Sequence, residues 1–214
     1  MYRNDEEKQD TKDTKDIKEA GALENMPDII VQESKSLDLV NNRVYFYCPV
    51  ESGTILQLNK IVRVLDTENI ANKYKLGKDE VTPIYIHINS FGGHIFDGLS
   101  CLDNIRMTES PVHTIVDGIA ASAATFMSIV GDKRSIMENS FMLIHQLSSG
   151  CWGTYQKFKQ EKKNLDLLMY TIENIYLKYT DIPKKKLHKI LKKDIFLDSK
   201  ECLKYGLVDR IIKK

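Results

Sequence analysis

From Asn42 onward, short β-branched or aromatic runs alternate with longer stretches whose apolar residues recur at helical spacing. A chain with that rhythm has few ways to bury both kinds of face, and repeated β-α-β units around a mostly parallel sheet are the principal one. Arg43 to Cys48 (RVYFYC) reads as a strand. Ser52 to Asp66 follows with Ile55, Leu58, Val62 and Leu65 on one helical face and Ser52 placed as N-cap. Ile84 to Ile88 (IYIHI) is a second strand, closed by the turn Asn89-Ser90-Phe91-Gly92-Gly93. A helix over Ile95 to Met107 then stops at Glu109-Ser110-Pro111.

Val112 to Val116 is strand-like. Gly118 is expected to open a helix running through Ala120 to Val130, because alanine is the strongest helix former. Lys133 to Met137 and Phe141 to Ile144 read as short strands around the turn Glu138-Asn139-Ser140. In open α/β sheets ligands bind beyond the carboxyl ends of strands, which is where Gly92-Gly93 and Ala121-Ser122 fall. From Thr154 to Tyr179 a different element is expected. Phe158, Leu165, Leu168, Ile172, Ile175 and Tyr179 form one stripe on a helix roughly 39 Å long, part of which should project toward another subunit.

Composition narrows the class. The 214 residues suit one domain, and 42% hydrophobic with 29% charged residues reads as a globular protein in water. A net charge of +1 gives no general attraction to nucleic acid or to a membrane surface. No apolar stretch approaches the ~20 residues of a spanning helix. Residues 1–28, with five Asp and four Glu, read as a mobile polar arm and not as a transit or secretory leader. Cys48, Cys101, Cys151 and Cys202 show no Cys-x-x-Cys spacing, so they read as free thiols in a reducing compartment. The six lysines between Lys184 and Lys193, around Leu187, Ile190 and Leu191, read as a solvated helix face.

Two residues carry the chemistry. Ser122 lies among small neighbours in Gly118-Ile119-Ala120-Ala121-Ser122-Ala123-Ala124, where another backbone can approach its hydroxyl. His145 ends the strand-like run Phe141 to Ile144, on a rigid support. An accessible hydroxyl and a fixed imidazole are what acyl transfer needs. His87 and His113 read as hydrogen-bonded core residues, and His188 as part of the basic helix. Spacing alone does not single out a third member among Asp181, Asp194, Asp198 and Asp209. Asp198 reads as the cap of a helix over Ser199 to Lys204, and Asp209 as part of the closing segment Tyr205 to Asp209.

Four segments in this order, IYIHINSFGGHIFDGL, VDGIAASAATFM, FMLIHQ and KKDIFLDSKECLKYGLVDRI, resemble the ClpP family, the serine peptidase subunit of ATP-dependent Clp proteases. The resemblance spans about Asn42 to Ile212. It implies an α/β fold of the ClpP/crotonase type with a handle at about 148–180, in one domain covering 29–214. It implies Ser122 as nucleophile, His145 as general base and Asp194 as the orienting acid, with the backbone N–H groups of Gly93 and Ala123 as oxyanion hole. It also implies two stacked heptameric rings enclosing the sites, with Ser148 to Gly153 as the glycine-rich strand beside substrate. The implied partner is an AAA+ unfoldase of the ClpX, ClpA or ClpC type, docking in apolar clefts for which Tyr45, Tyr47 and Tyr85 are candidates. ATP is then used by the unfoldase, and no cofactor or metal by this chain. The expected compartment is the cytoplasm, with an organelle matrix as alternative, and the expected role is protein quality control.

The family's usual prolines are here Phe91 and Leu147, the usual small residue after the glycines is His94, and the usual methionine after the nucleophile is Ala123. Three rivals stand beside this reading: a ring subunit without activity, a crotonase-type acyl-CoA enzyme, and a thiol peptidase using Cys101 or Cys151.

Overall fold

A computed structural model describes residues 37–213, so the expected polar arm at 1–28 lies outside the described residues. Two strands open the described chain, β1 (Leu37–Val40) and β2 (Arg43–Phe46), joined as an antiparallel hairpin through Asn41 at φ 53°. β1 is an element the sequence pattern did not suggest. Helix α1 (Ser52–Leu76) follows, then β3 (Ile84–Ser90), α2 (Ile95–Arg106), β4 (Val112–Ala121) and α3 (Ala124–Ile129). Next come β5 (Lys133–Met137), β6 (Phe141–Leu143), α4 (Tyr155–Tyr179) and α5 (Lys184–Leu191). The chain closes with β7 (Leu197–Asp198), α6 (Ser199–Lys204) and β8 (Arg210–Ile212).

The expected sheet of β-α-β units is present. Its order is β1-β2-β3-β4-β5-β8, parallel from β2 onward, with β6 also parallel beside β4 and β7 antiparallel beside β6. Strict alternation along β3 explains the layering. Ile84, Ile86 and Ile88 are buried and join the apolar faces of α1 and α2 in one core, each contributing about 1.5–3 kcal/mol on burial. Tyr85 and His87, on the opposite face, remain half-buried.

Three expectations need correction. Glu51, not Ser52, is the N-cap of α1: its N–H donates to Thr54 Oγ1 at 3.1 Å, while the Ser52 hydroxyl donates to Asp97. α1 also continues well past Asp66 to the left-handed C-cap Gly77 (φ 60°). Its inward stripe simply turns polar at Asp66 and Asn69; the Asp66 carboxylate accepts the Ser110 N–H at 2.7 Å.

The larger correction concerns Gly118, which opens no helix. β4 runs on to Ala121, and Ile119 to Ala121 pair with Phe141 to Leu143. Ile88 faces Val116, yet Ser90 faces Ala120, so β4 spends two extra residues around Asp117-Gly118. Gly118, at φ 120°, forms this bulge against Asn89, where a Cβ would lie 2.7 Å from the amide oxygen. The bulge divides β4 between two neighbours, its first half beside β5 and its second beside β6. Sheet pairing thereby overrides the helical preference of the alanines.

Candidate active site

β3, β4 and β6 all end on the same edge of the sheet, so their carboxyl ends bring Gly92-Gly93, Ser122 and His145 together. Ser122 occupies a sharp turn between β4 and α3 in the left-handed region, φ 54°. A serine there costs roughly 1–3 kcal/mol and persists only when its surroundings fix it. Here the Ser122 N–H donates to Leu143 O at 2.8 Å. Its carbonyl accepts two donors from Thr125, the backbone N–H at 3.0 Å and Oγ1 at 2.6 Å.

The glycine turn packs directly against this elbow. A Cβ on Gly92 (φ 91°) would lie 2.5 Å from Ala121 O and 2.7 Å from Ser122 Cβ. One on Gly93 would lie 2.2 Å from Val50 O. Only glycine permits these approaches. Ser90, buried, ties the turn down by donating to Cys48 O at 2.6 Å and accepting the Gly92 N–H at 3.2 Å. Ala123, at φ −58°, stands immediately before α3 as its N-cap. Among the described residues, neither the Gly93 nor the Ala123 N–H is taken up by another group of the fold.

His145 lies two residues beyond β6, held between buried Ile144 and Gln146, whose N–H donates to Leu191 O at 2.8 Å. Ser122 and His145 line one cavity of about 30 Å³ with Gly93, Ala123, Phe126 and Tyr176. The same pair borders a wider opening of about 280 Å³ between His94 and Ser148. His145 Nδ1 is 3.5 Å from Asp194 Oδ1, at the outer limit of hydrogen-bond reach, and the Asp194 side chain is 80% exposed. No hydrogen bond joins the Ser122 hydroxyl to His145 among the described residues.

The other acids are engaged elsewhere. Asp209 pairs with Arg134, Asp198 caps α6 by accepting the Glu201 N–H at 2.8 Å, and Asp181 packs at Gly206. Cys101 is buried in α2, where burial pushes its thiol up to about 12, and the half-buried Cys151 faces no histidine among the described contacts. Neither suits thiolate chemistry. Among the described residues, no three His, Cys, Asp or Glu side chains gather as metal ligands.

His87 and His113 are not core residues; both lie half-buried on the open sheet face. His87 contacts Arg43 at 3.0 Å and Asp117 at 3.3 Å and stacks on Tyr45, while His113 meets Tyr85 edge-on. Burial holds the His87 imidazole below its ordinary range against the opposing pull of Asp117, and Arg43 adds to the depression. Tyr47 donates to Asp117 at 2.6 Å, and Arg43 covers the Tyr85 ring. Tyr45, Tyr47 and Tyr85 thus share this face with Arg43, His87 and Asp117. His188 bonds Glu173 at 3.1 Å, and its helix α5 is solvated on one side only, with Leu187, Ile190 and Leu191 buried.

His94 points to solvent beside Asp97, and Phe91 is also exposed. Ser148 to Gly153 pairs with no strand among the described residues, and Trp152 is 90% exposed. α4 begins at its N-cap Thr154 as expected, but its buried residues are Ile172 and Tyr176 rather than a full stripe; Phe158 is exposed. Sequence reasoning passed over Thr125 and Tyr176, which support the elbow. The one available signal was their spacing, Thr125 three residues past the serine and Tyr176 one turn beyond Ile172.

The architecture defines a class: an α/β protein whose parallel strand ends gather a hydroxyl on a strained elbow and an imidazole, with a carboxylate nearby on the loop between α5 and β7. The sequence profile described as Clp protease matches residues 50–214. A relative from Deinococcus radiodurans, named ATP-dependent Clp protease proteolytic subunit, is 33% identical over 177 residues, covering 81% of this chain and 82% of its own. One from Streptococcus mutans with the same name is 36% identical over 140 residues, covering 64% and 71%. Subunit 2 of that protease from Treponema denticola is 37% identical over 133 residues, covering 61% and 66%. The chain belongs to the Clp protease family.

Proposed function

We propose that this chain is a serine endopeptidase that hydrolyses unfolded polypeptide inside a ring-shaped Clp chamber, through an acyl-enzyme on Ser122. The observation carrying this reading is the left-handed elbow at Ser122, which shares one cavity with a histidine backed by a carboxylate. In the proposed reaction Ser122 Oγ attacks the scissile carbonyl while His145 removes its proton. Asp194 orients the ring and stabilises the imidazolium. The N–H groups of Gly93 and Ala123 receive the oxyanion; Ala123 N–H stands at the positive end of α3, and losing one such donor typically costs about 2.7–4 kcal/mol in the barrier. His145 then protonates the leaving amine, and water, activated by the same imidazole, releases the acyl group.

The family implies the enclosure: two stacked heptameric rings of copies of this chain, with the handle α4 between rings and an AAA+ unfoldase supplying ATP-driven substrate entry. The exposed Trp152, Tyr155 and Phe158 support an assembly role for the handle, since isolated subunits rarely present so many large apolar side chains together. We place it in a cytoplasmic or organelle-matrix setting, where its cysteines, none of them in a disulfide among the described residues, remain reduced.

A second reading, a ring subunit without activity of its own, is favoured by the missing Ser122–His145 hydrogen bond and the exposed Asp194. Catalytic contacts are often loose before substrate arrives, which keeps the first reading ahead. Fluorophosphonate labelling of the assembled particle, followed by mass spectrometry and alongside its native mass, separates the two. Labelling at Ser122 is the expected result. An unlabelled Ser122 in a particle of double-ring mass assigns the chain to scaffolding.

A further inference from the structure

The elbow at Ser122 is braced from outside its own sheet. Thr125 Oγ1 donates to Ser122 O at 2.6 Å and lies 2.5 Å from Tyr176 Oη. A threonine hydroxyl has one proton, and here it goes to the Ser122 carbonyl. The Tyr176 phenol must therefore be the donor in the second bond. Both side chains are buried, Thr125 completely and Tyr176 at 1% exposure, so no water competes for either bond. Among the described residues this is the one polar link from α4 to the segment between Ser122 and Ile129. The Tyr176 ring also packs on Phe126 and lines the small cavity beside Ser122.

We infer that Tyr176 is a positioning residue for the Ser122 nucleophile. Its hydroxyl, relayed through Thr125, holds the Ser122 carbonyl and so keeps the residue left-handed, with its side chain presented to the cavity. This inference rests on the peptidase reading for its effect on rate, though not for its effect on the elbow itself. A serine in this backbone region drifts toward ordinary φ once its constraints loosen. Thr125 alone cannot supply the same hold. Without Tyr176 its Oγ1 is left in a buried site with an unanswered acceptor, and the hydroxyl is free to rotate.

The test uses the full-length assembled particle. Tyr176→Phe keeps the ring and removes the donor; Thr125→Val removes the relay; Thr125→Ser keeps a hydroxyl in its place. The rate of fluorophosphonate labelling, and kcat on a short fluorogenic peptide, are expected to fall about three- to tenfold in Tyr176→Phe with KM unchanged. Thr125→Val should fall similarly, Thr125→Ser should stay near wild type, and the Tyr176→Phe/Thr125→Val pair should be no slower than the slower single variant. A purely structural role would instead lower the melting temperature while leaving kcat intact.

Hydrogen exchange of the peptide covering residues 121–126 gives a readout independent of activity. Exchange there should quicken in Tyr176→Phe while the rest of α4 remains protected. If wild type is never labelled, the peptidase reading fails, and exchange still decides the relay. Wild-type labelling and wild-type exchange in both Tyr176→Phe and Thr125→Val would overturn the inference.

Discussion

The two halves of the site are built differently. Ser122 is fixed on every side: its N–H to β6, its carbonyl to Thr125, and its Cβ against the backbone of Gly92. Asp194 stands on the loop between α5 and β7, most of its carboxylate in water, 3.5 Å from the ring it would orient. The proposed nucleophile is thus held in place by the fold of one chain. The proposed acid is only placed near the imidazole, on the short loop between α5 and β7. Where solvent screens a carboxylate, its pull on an imidazole is weak, so the proposed function asks substrate or neighbouring subunits to tighten this contact.

If the contrast holds, substitutions at the two ends differ in size. Ser122→Ala should have the largest effect, a loss of up to about 10⁶-fold in peptide turnover with native mass unchanged. Asp194→Asn should cost less, about 10²–10³-fold. A buried triad acid replaced in this way costs about 10⁴-fold, and an exposed one contributes less. Steady-state kcat on a fluorogenic peptide measures both. Equal losses at the two positions would mean that Asp194 becomes buried in the working particle, and the contrast would then belong to the isolated subunit alone.

Gly92→Ala tests the rigid half by a different route. The new methyl would meet Ala121 O and Ser122 Cβ at 2.5 and 2.7 Å, and alanine is strained at φ 91°. Relief requires the elbow to move by something near an ångström. Such a displacement typically costs about 10²-fold in acylation, read as the labelling rate of Ser122. The melting temperature should fall as well, because the turn is tied to Val50 by the Val50 N–H on Gly92 O and the His94 N–H on Val50 O.

The glycine turn was legible in the sequence as a turn after a strand, but such turns are common, and only the order of four motifs tied it to a site. The same holds for Ser122 among alanines, which alone suits tight packing as well; the strand-helix rhythm placed both at strand ends. The bulge at Gly118 left no mark in the sequence. Whether Ile119-Ala120-Ala121 is strand or helix depends on β6 lying alongside, which is a fact of tertiary pairing and not of local preference. Tyr176 was hidden for a related reason. Its side chain belongs to the apolar face of α4 by position, and only the assembled core reveals that its hydroxyl meets Thr125. Asp194 came from family likeness alone, and its exposure shows why spacing could not select it: no local pattern distinguishes it from the acids that cap or pair elsewhere.

The smallest expected effect lies on the loose half. Among the described side-chain contacts, what holds the Asp194 loop is modest: Phe196, two residues on, meets Phe141 edge-on with ring centroids 6.3 Å apart, and both rings are partly in solvent. Such a pair contributes about 0.5–1.5 kcal/mol, so Phe196→Ala should lower kcat by no more than about tenfold. Because Phe141 is itself exposed, the melting temperature should hardly move. The Ser122 half does not feel this contact, so the rate of a small fluorophosphonate, which needs little help from the acid, should fall less than kcat. Equal reductions in labelling and in peptide turnover would show that the two halves are mechanically one, and the distinction between a built nucleophile and a merely placed acid would have to be given up.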